Sequence, residues 1–118
     1  DMSAFLSIQS AINFVRKSNW KKRQIVSKEI IIEVSQQLQL LLNTEPIFIG
    51  RDWIGQMVSH PLPEDAPVTL KNSLWKEYSI EVPIFEWKNQ KFIRVSVHGY
   101  NDRADIKKLI YALEKLLF

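Results

Sequence analysis

The chain has 118 residues, of which 46% are hydrophobic and 25% charged; its net charge is +3 and it has no cysteine. This is an ordinary soluble composition, enough for one core but not two. No apolar run approaches the roughly 20 residues that cross a bilayer, and the charge is too small to imply nucleic-acid binding by itself. The missing cysteine excludes disulfides, thiolate chemistry and cysteine-based zinc sites, and points towards the cytoplasm.

A helix is expected almost from the start. Ser3 can cap it, and Phe5, Ile8, Ile12 and Val15 form one stripe at the spacing of an amphipathic helix. The sequence opens with Asp1 just before that helix, which suggests a piece of a longer protein, with any targeting segment outside it. Ser18-Asn19 interrupts the pattern. A longer helix is expected from Asn19 to about Leu42, burying Trp20, Val26, Ile30, Val34, Leu38 and Leu41, and Asn43-Thr44-Glu45-Pro46 ends it. The cations Arg16, Lys17, Lys21, Lys22, Arg23 and Lys28 gather at this junction. With only Trp20 among them as a stacking aromatic, they read as a solvated helix end and not as a phosphate-binding patch.

Short strands are expected at Ile47-Phe48-Ile49 and over Ile54 to Pro61, with Gly50-Arg51-Asp52 turning between them. A stiff loop runs from Pro61 to Pro67. A helix over Thr69 to Tyr78 places Leu70, Leu74, Trp75 and Tyr78 on one face. Ile80 to Phe85 reads as a strand with an edge or end at Pro83, which lacks an N–H. Trp87-Lys88-Asn89-Gln90 turns the chain back into a strand from Phe92 to Val97. Asp102 and Asp105 stand at capping-box spacing before a last helix whose apolar face is Ile106, Leu109, Ile110, Leu113, Leu116 and Leu117.

This order predicts an α+β fold, a small and largely antiparallel sheet covered on one face by helices. Residues 1–45 read as leading helices and residues 46–118 as the α+β core, together one structural domain.

Arg94 is the residue most able to carry chemistry. Alternation along a strand puts Ile93, Val95 and Val97 on one face and Phe92, Arg94 and Ser96 on the other. If the last helix covers the aliphatic face, Arg94 points away from the core. Its planar guanidinium is well suited to gripping a carboxylate through two parallel charge-assisted hydrogen bonds. On alternation alone, an ordinary surface arginine is the plainer reading. His60 has no acidic or histidine neighbour at metal-ligand spacing, so no metal is expected. Trp53 and Trp87 fall in turns and read as packing or interdomain contacts.

The spacing Arg94-x-Ser96-x-x-x-Tyr100-Asn101 resembles the C-terminal signature of the class V aminotransferase group of pyridoxal-phosphate enzymes, most closely its isopenicillin N epimerase-like branch. Other segments are similar too. Asp1-Met2-Ser3-Ala4-Phe5 resembles that branch's Asp-x-Ser-Ala-(Tyr/Phe). Gly55-Gln56-Met57-Val58 with Pro61-Leu62-Pro63 resembles its first small-domain strand and loop. Leu74-Trp75 through Ile80-Glu81-Val82-Pro83 resembles its helix-to-strand passage.

The resemblance implies the C-terminal small domain of a fold type I enzyme, with Arg94 binding the α-carboxylate of an amino acid or peptide. Ser96, His98, Tyr100 and Asn101 would support it: Tyr100 at the corner beneath Arg94, Asn101 or Asp102 as helix cap, and His98 as a solvent-facing turn residue or a substrate contact. The Schiff-base lysine, the cofactor-stacking histidine and the aspartate paired with the pyridine nitrogen belong to the family's large domain and have no match here. No catalytic or cofactor-binding residue is therefore expected in this chain, and by itself it should neither hold pyridoxal phosphate nor turn over. The full-length enzyme would bind that cofactor, join this chain to its own large domain and form a homodimer, without membrane or nucleic acid. The absence of cysteine favours an epimerase-like member over the alternative of a C–S lyase or cysteine desulfurase. A third alternative is a non-enzymatic binding or regulatory module.

Overall fold

The computed structural model describes residues 1–47 and 50–118. Its elements run α1 (Ser3–Lys17), α2 (Trp20–Leu42), a short 3-10 turn (Arg51–Trp53), β1 (Met57–Pro61), α3 (Leu70–Tyr78), β2 (Ile84–Trp87), β3 (Gln90–Ser96) and α4 (Arg103–Leu117). The strands form one antiparallel sheet in the order β1-β3-β2, with α2, α3 and α4 packed against one face. The α+β fold expected from the sequence is the one found. The strand expected over Ile47–Ile49 falls on Phe48 and Ile49, which lie outside the described residues.

The core forms where α2 and α4 cross the sheet. Ile30, Ile31, Val34, Leu38 and Leu42 of α2 meet Ile106, Leu109, Ala112 and Leu113 of α4, over Val58 of β1 and Ile93 and Val95 of β3, with Val97 just beyond that strand. The buried stripe of α2 is turned from the expected one. Val26 is 40% exposed, Trp20 and Leu41 are half-buried, and Ile31, Ser27 and Ser35 are inside instead. On α3, Leu70 and Leu74 are buried one turn apart, whereas Trp75 lies about 100° further round and stays outside.

Helix ends follow local chemistry. The backbone N–H and hydroxyl of Ser3 both donate to the Asp1 carboxylate at 2.9 Å, so Asp1 and not Ser3 satisfies the first turn of α1. Asn19 breaks the α1–α2 run by adopting a left-handed conformation (φ 49°), which asparagine tolerates. At the end of α3, Ser79 is left-handed and the Ile80 N–H reaches back to the Leu74 carbonyl at 3.0 Å, a Schellman closure. Helix α4 starts in a reciprocal capping box: Asp102 accepts from the N–H groups of Ala104 (2.7 Å) and Asp105 (3.3 Å), and Asp105 accepts from that of Asp102 (3.2 Å).

Strand β2 begins at Ile84, later than expected, and runs through Trp87, which is therefore a strand residue and not a turn residue. The turn itself is Lys88-Asn89, both at positive φ (51° and 61°), the two-residue hairpin whose twist matches that of its strands. Helix α1 buries none of its residues. Its stripe stays open to solvent, with Phe5 at 68%, Ile8 at 51% and Ile12 at 40% exposure. Among the described residues no helix is long and apolar enough to cross a membrane.

Candidate functional site

The face of the sheet turned away from the helices carries the candidate site. Register sets its composition. Met57 stands opposite Ser96, Ser59 opposite Arg94 and Pro61 opposite Phe92, while Phe85 of β2 faces Phe92 from the other side. Directly opposed residues project from the same face, so Met57, Ser59, Arg94, Ser96, Phe92 and Phe85 share one surface. Ile93, Val95 and Val97 go the other way and are 0–3% exposed beneath the helices. Arg94 is exposed, on the central strand. Its N–H donates to the Pro83 carbonyl at 2.9 Å, tying its backbone to the segment leading into β2. The one ion pair formed among the described residues joins Arg103 to Glu33 elsewhere, bridging α4 and α2 and holding the Glu33 carboxyl below its ordinary range.

An aromatic wall borders Arg94 towards β2. Phe92 is only 4% exposed although it sits on the open face, because Phe85 stacks on it (centroids 5.7 Å apart, planes 22° apart) and Trp87 leans against it at 6.1 Å. The Lys88 ammonium lies 4.7 Å from the Trp87 ring centre, a cation–π contact at the hairpin tip.

Beyond Ser96 the chain leaves the sheet, and the remaining predicted residues gather there. His98 lies between Trp20 (4.7 Å) and Tyr100 (4.9 Å), and Trp20 in turn meets Phe14 of α1 at 6.1 Å. The Arg23 guanidinium donates to the carbonyls of Ser18 (3.0 Å) and Gly99 (2.9 Å), clasping this loop to the α1–α2 elbow. A Cβ at Gly99 would meet Arg23 Cδ at 3.2 Å and the Trp20 ring at 3.3 Å, so the close approach depends on glycine. Asn101 is a loop brace: its Oδ1 accepts from the His98 N–H (3.0 Å) and its Nδ2 donates to Asp105 (3.2 Å), while Asp102 takes the cap. Tyr100 is 82% exposed and rests on His98. The structure thus puts Arg94 and Ser96 on the sheet face and His98, Tyr100 and Asn101 in the adjoining loop. Trp20 belongs to the same cluster. No local pattern near residue 98 could have revealed it, because 78 positions separate Trp20 from His98.

His60 occupies the opposite, buried face of β1. It is 0% exposed, with Nε2 3.0 Å from the Thr44 carbonyl and Nδ1 without a partner. That geometry assigns the proton to Nε2. Burial pushes the imidazole below its ordinary value, against the Thr44 carbonyl and the Glu45 carboxylate, which favour the charged form. Among the described residues no group of three or more histidines, cysteines and carboxylates could hold a metal ion.

The projecting residues of the open face offer one guanidinium, two hydroxyls and an aromatic wall, with Lys88 over Trp87 at the hairpin tip.

No protein-family profile matches the chain. It is similar to an isopenicillin N epimerase of Amycolatopsis lactamdurans, 25% identical over 118 residues that cover 98% of this chain and 30% of the relative. The crystal structure of 8-amino-7-oxononanoate synthase from Francisella tularensis shares its fold, with a TM-score of 0.67, 20% identity, 89% of this chain covered and 30% of that one. At that identity the structural likeness establishes the fold alone. The chain spans about a third of the length of either protein. The resemblance to the isopenicillin N epimerase-like enzymes, read from short motifs, therefore extends over nearly the whole chain.

Proposed function

We propose that this chain is the C-terminal small domain of a pyridoxal-phosphate-dependent enzyme related to isopenicillin N epimerase, and that Arg94 binds the α-carboxylate of its amino acid or peptide substrate. The observation that carries this is the placement of Arg94. An exposed guanidinium stands on the central strand of the sheet, on the face the helices leave open. A strand hydrogen-bonded on both sides holds its side chains more rigidly than a loop does, which suits a group that must fix a substrate's orientation.

In the longer enzyme the cofactor would be held by the large domain, which supplies the electron-withdrawing ring and the lysine that this chain lacks. This chain's part is to hold one end of the substrate still, and so to select which bond at Cα is presented for reaction. The uncovered stripe of α1 has a matching reading, as surface against which the large domain packs, since relatives of this chain carry about twice its length again. The enzyme would be a cytoplasmic homodimer joined through its large domains. This chain has no cysteine near Glu81 to Phe85, where the desulfurase branch would carry its catalytic one, which favours Cα proton chemistry over cysteine-dependent sulfur transfer.

The test is made on the full-length holoenzyme, titrated with the tightest-binding of the proteinogenic amino acids. Arg94→Ala should weaken binding about 100-fold with cofactor content unchanged, the loss of a bidentate charge-assisted pair. Unchanged affinity would refute the assignment.

A further inference from the structure

We propose that Ser59 is a second donor to the same carboxylate, its hydroxyl working beside the Arg94 guanidinium; this rests on the reading of Arg94 given above.

The pairing geometry singles out Ser59. Between β1 and β3 the Val97 N–H donates to the Gln56 carbonyl (2.8 Å), and the Leu62 N–H donates to the Lys91 carbonyl (2.9 Å). These bonds fix the hydrogen-bonded positions of the antiparallel ladder at Gln56–Val97, Val58–Val95, His60–Ile93 and Leu62–Lys91. The pairs between them, including Ser59–Arg94, are non-hydrogen-bonded. In such pairs the Cα atoms approach to about 4.5 Å and the side chains are closest. The Arg94 N–H is turned towards Pro83, as this alternation requires. Ser96, the other hydroxyl on this face, lies two residues along the same strand, about 6.6 Å away in rise. Ser59 is therefore the nearer donor.

Its environment points the same way. Ser59 is half-buried, and among the described residues its hydroxyl forms no hydrogen bond. A hydroxyl beside a guanidinium can accept from it but finds nothing there to donate to, so its O–H gains from an added acceptor. A carboxylate on Arg94 would be that acceptor. The fork would engage one or both oxygens, and the Ser59 O–H would donate to the oxygen nearer β1. Such an arrangement discriminates, since an analogue whose carboxylate is replaced by a neutral amide offers a weaker acceptor to both groups.

The experiment compares Ser59→Ala, Ser59→Thr and Arg94→Ala in the full-length holoenzyme, singly and with Ser59→Ala combined with Arg94→Ala. The probes are the tightest-binding proteinogenic amino acid and its carboxamide. Ser59→Ala should weaken amino acid binding about 10-fold, as for one hydrogen bond to a charged group. It should leave carboxamide binding within about twofold, and Ser59→Thr, which keeps the hydroxyl, should restore the wild-type value. In the Arg94→Ala background the Ser59 effect should shrink, as expected for two donors sharing one acceptor. If Arg94→Ala weakens binding and Ser59→Ala does not, the Ser59 assignment is wrong and the Arg94 reading stands. Equal losses for acid and amide would overturn it as well. If Arg94→Ala changes nothing, both fall.

Discussion

Acidification should destabilise this chain through His60. The imidazole is 0% exposed, donates from Nε2 to the Thr44 carbonyl, and keeps Nδ1 unpaired in the core. Protonating Nδ1 would place a second N–H, and a charge, where no acceptor waits. Glu45 is the carboxylate near enough to oppose that penalty, and burial outweighs it. The sign follows. The folded state holds His60 neutral below the pH at which the unfolded chain takes up a proton, so stability is full above about pH 6.5 and declines as pH falls below it. A histidine kept neutral throughout the interval costs up to about 1.4 kcal/mol between pH 7.5 and 5.5, or roughly 5–6 °C in Tm for a domain of this size. Thermal unfolding of wild type and His60→Gln measures it. Glutamine retains a donor for Thr44 and does not titrate, so the difference in Tm between the two proteins should narrow by those few degrees at pH 5.5. A difference that stays constant across the interval would refute the assignment of His60 as buried and neutral.

Two further outcomes test the frame that holds the site. Leu113→Ala, at a position of α4 with 0% exposure in the core, should cost about 2–5 kcal/mol in urea unfolding, since the cavity is walled by other core side chains. Asp102→Ala removes the acceptor for the Ala104 and Asp105 N–H groups and should cost about 1 kcal/mol by the same measurement, whereas Asp102→Ser should recover most of it.

Short-range rules reached a good deal of this molecule. The capping box at Asp102, the turn centred on Lys88-Asn89 and the outward projection of Arg94 each depend on residues within a few positions of one another. The motif resemblance was legible for the same reason, because its spacing lies on one strand and the loop after it. His60 shows where local reading stops. Alternation sends it inward with Val58, but a histidine gives no sign of whether a carbonyl from another segment will meet it, and here Thr44 does, 16 residues earlier.

Composition and periodicity were enough to specify a helix-covered antiparallel sheet, since burying an apolar stripe or strand face leaves few architectures for a chain of this size. They could not decide which side of α2 faces inward, why Phe92 is buried on an otherwise open face, that Trp20 packs against His98, or that Ser59 stands across from Arg94. Each of these is set by strand register or by helix rotation, and both answer to the summed packing of segments distant in the chain, to which no single residue's neighbours in sequence give access.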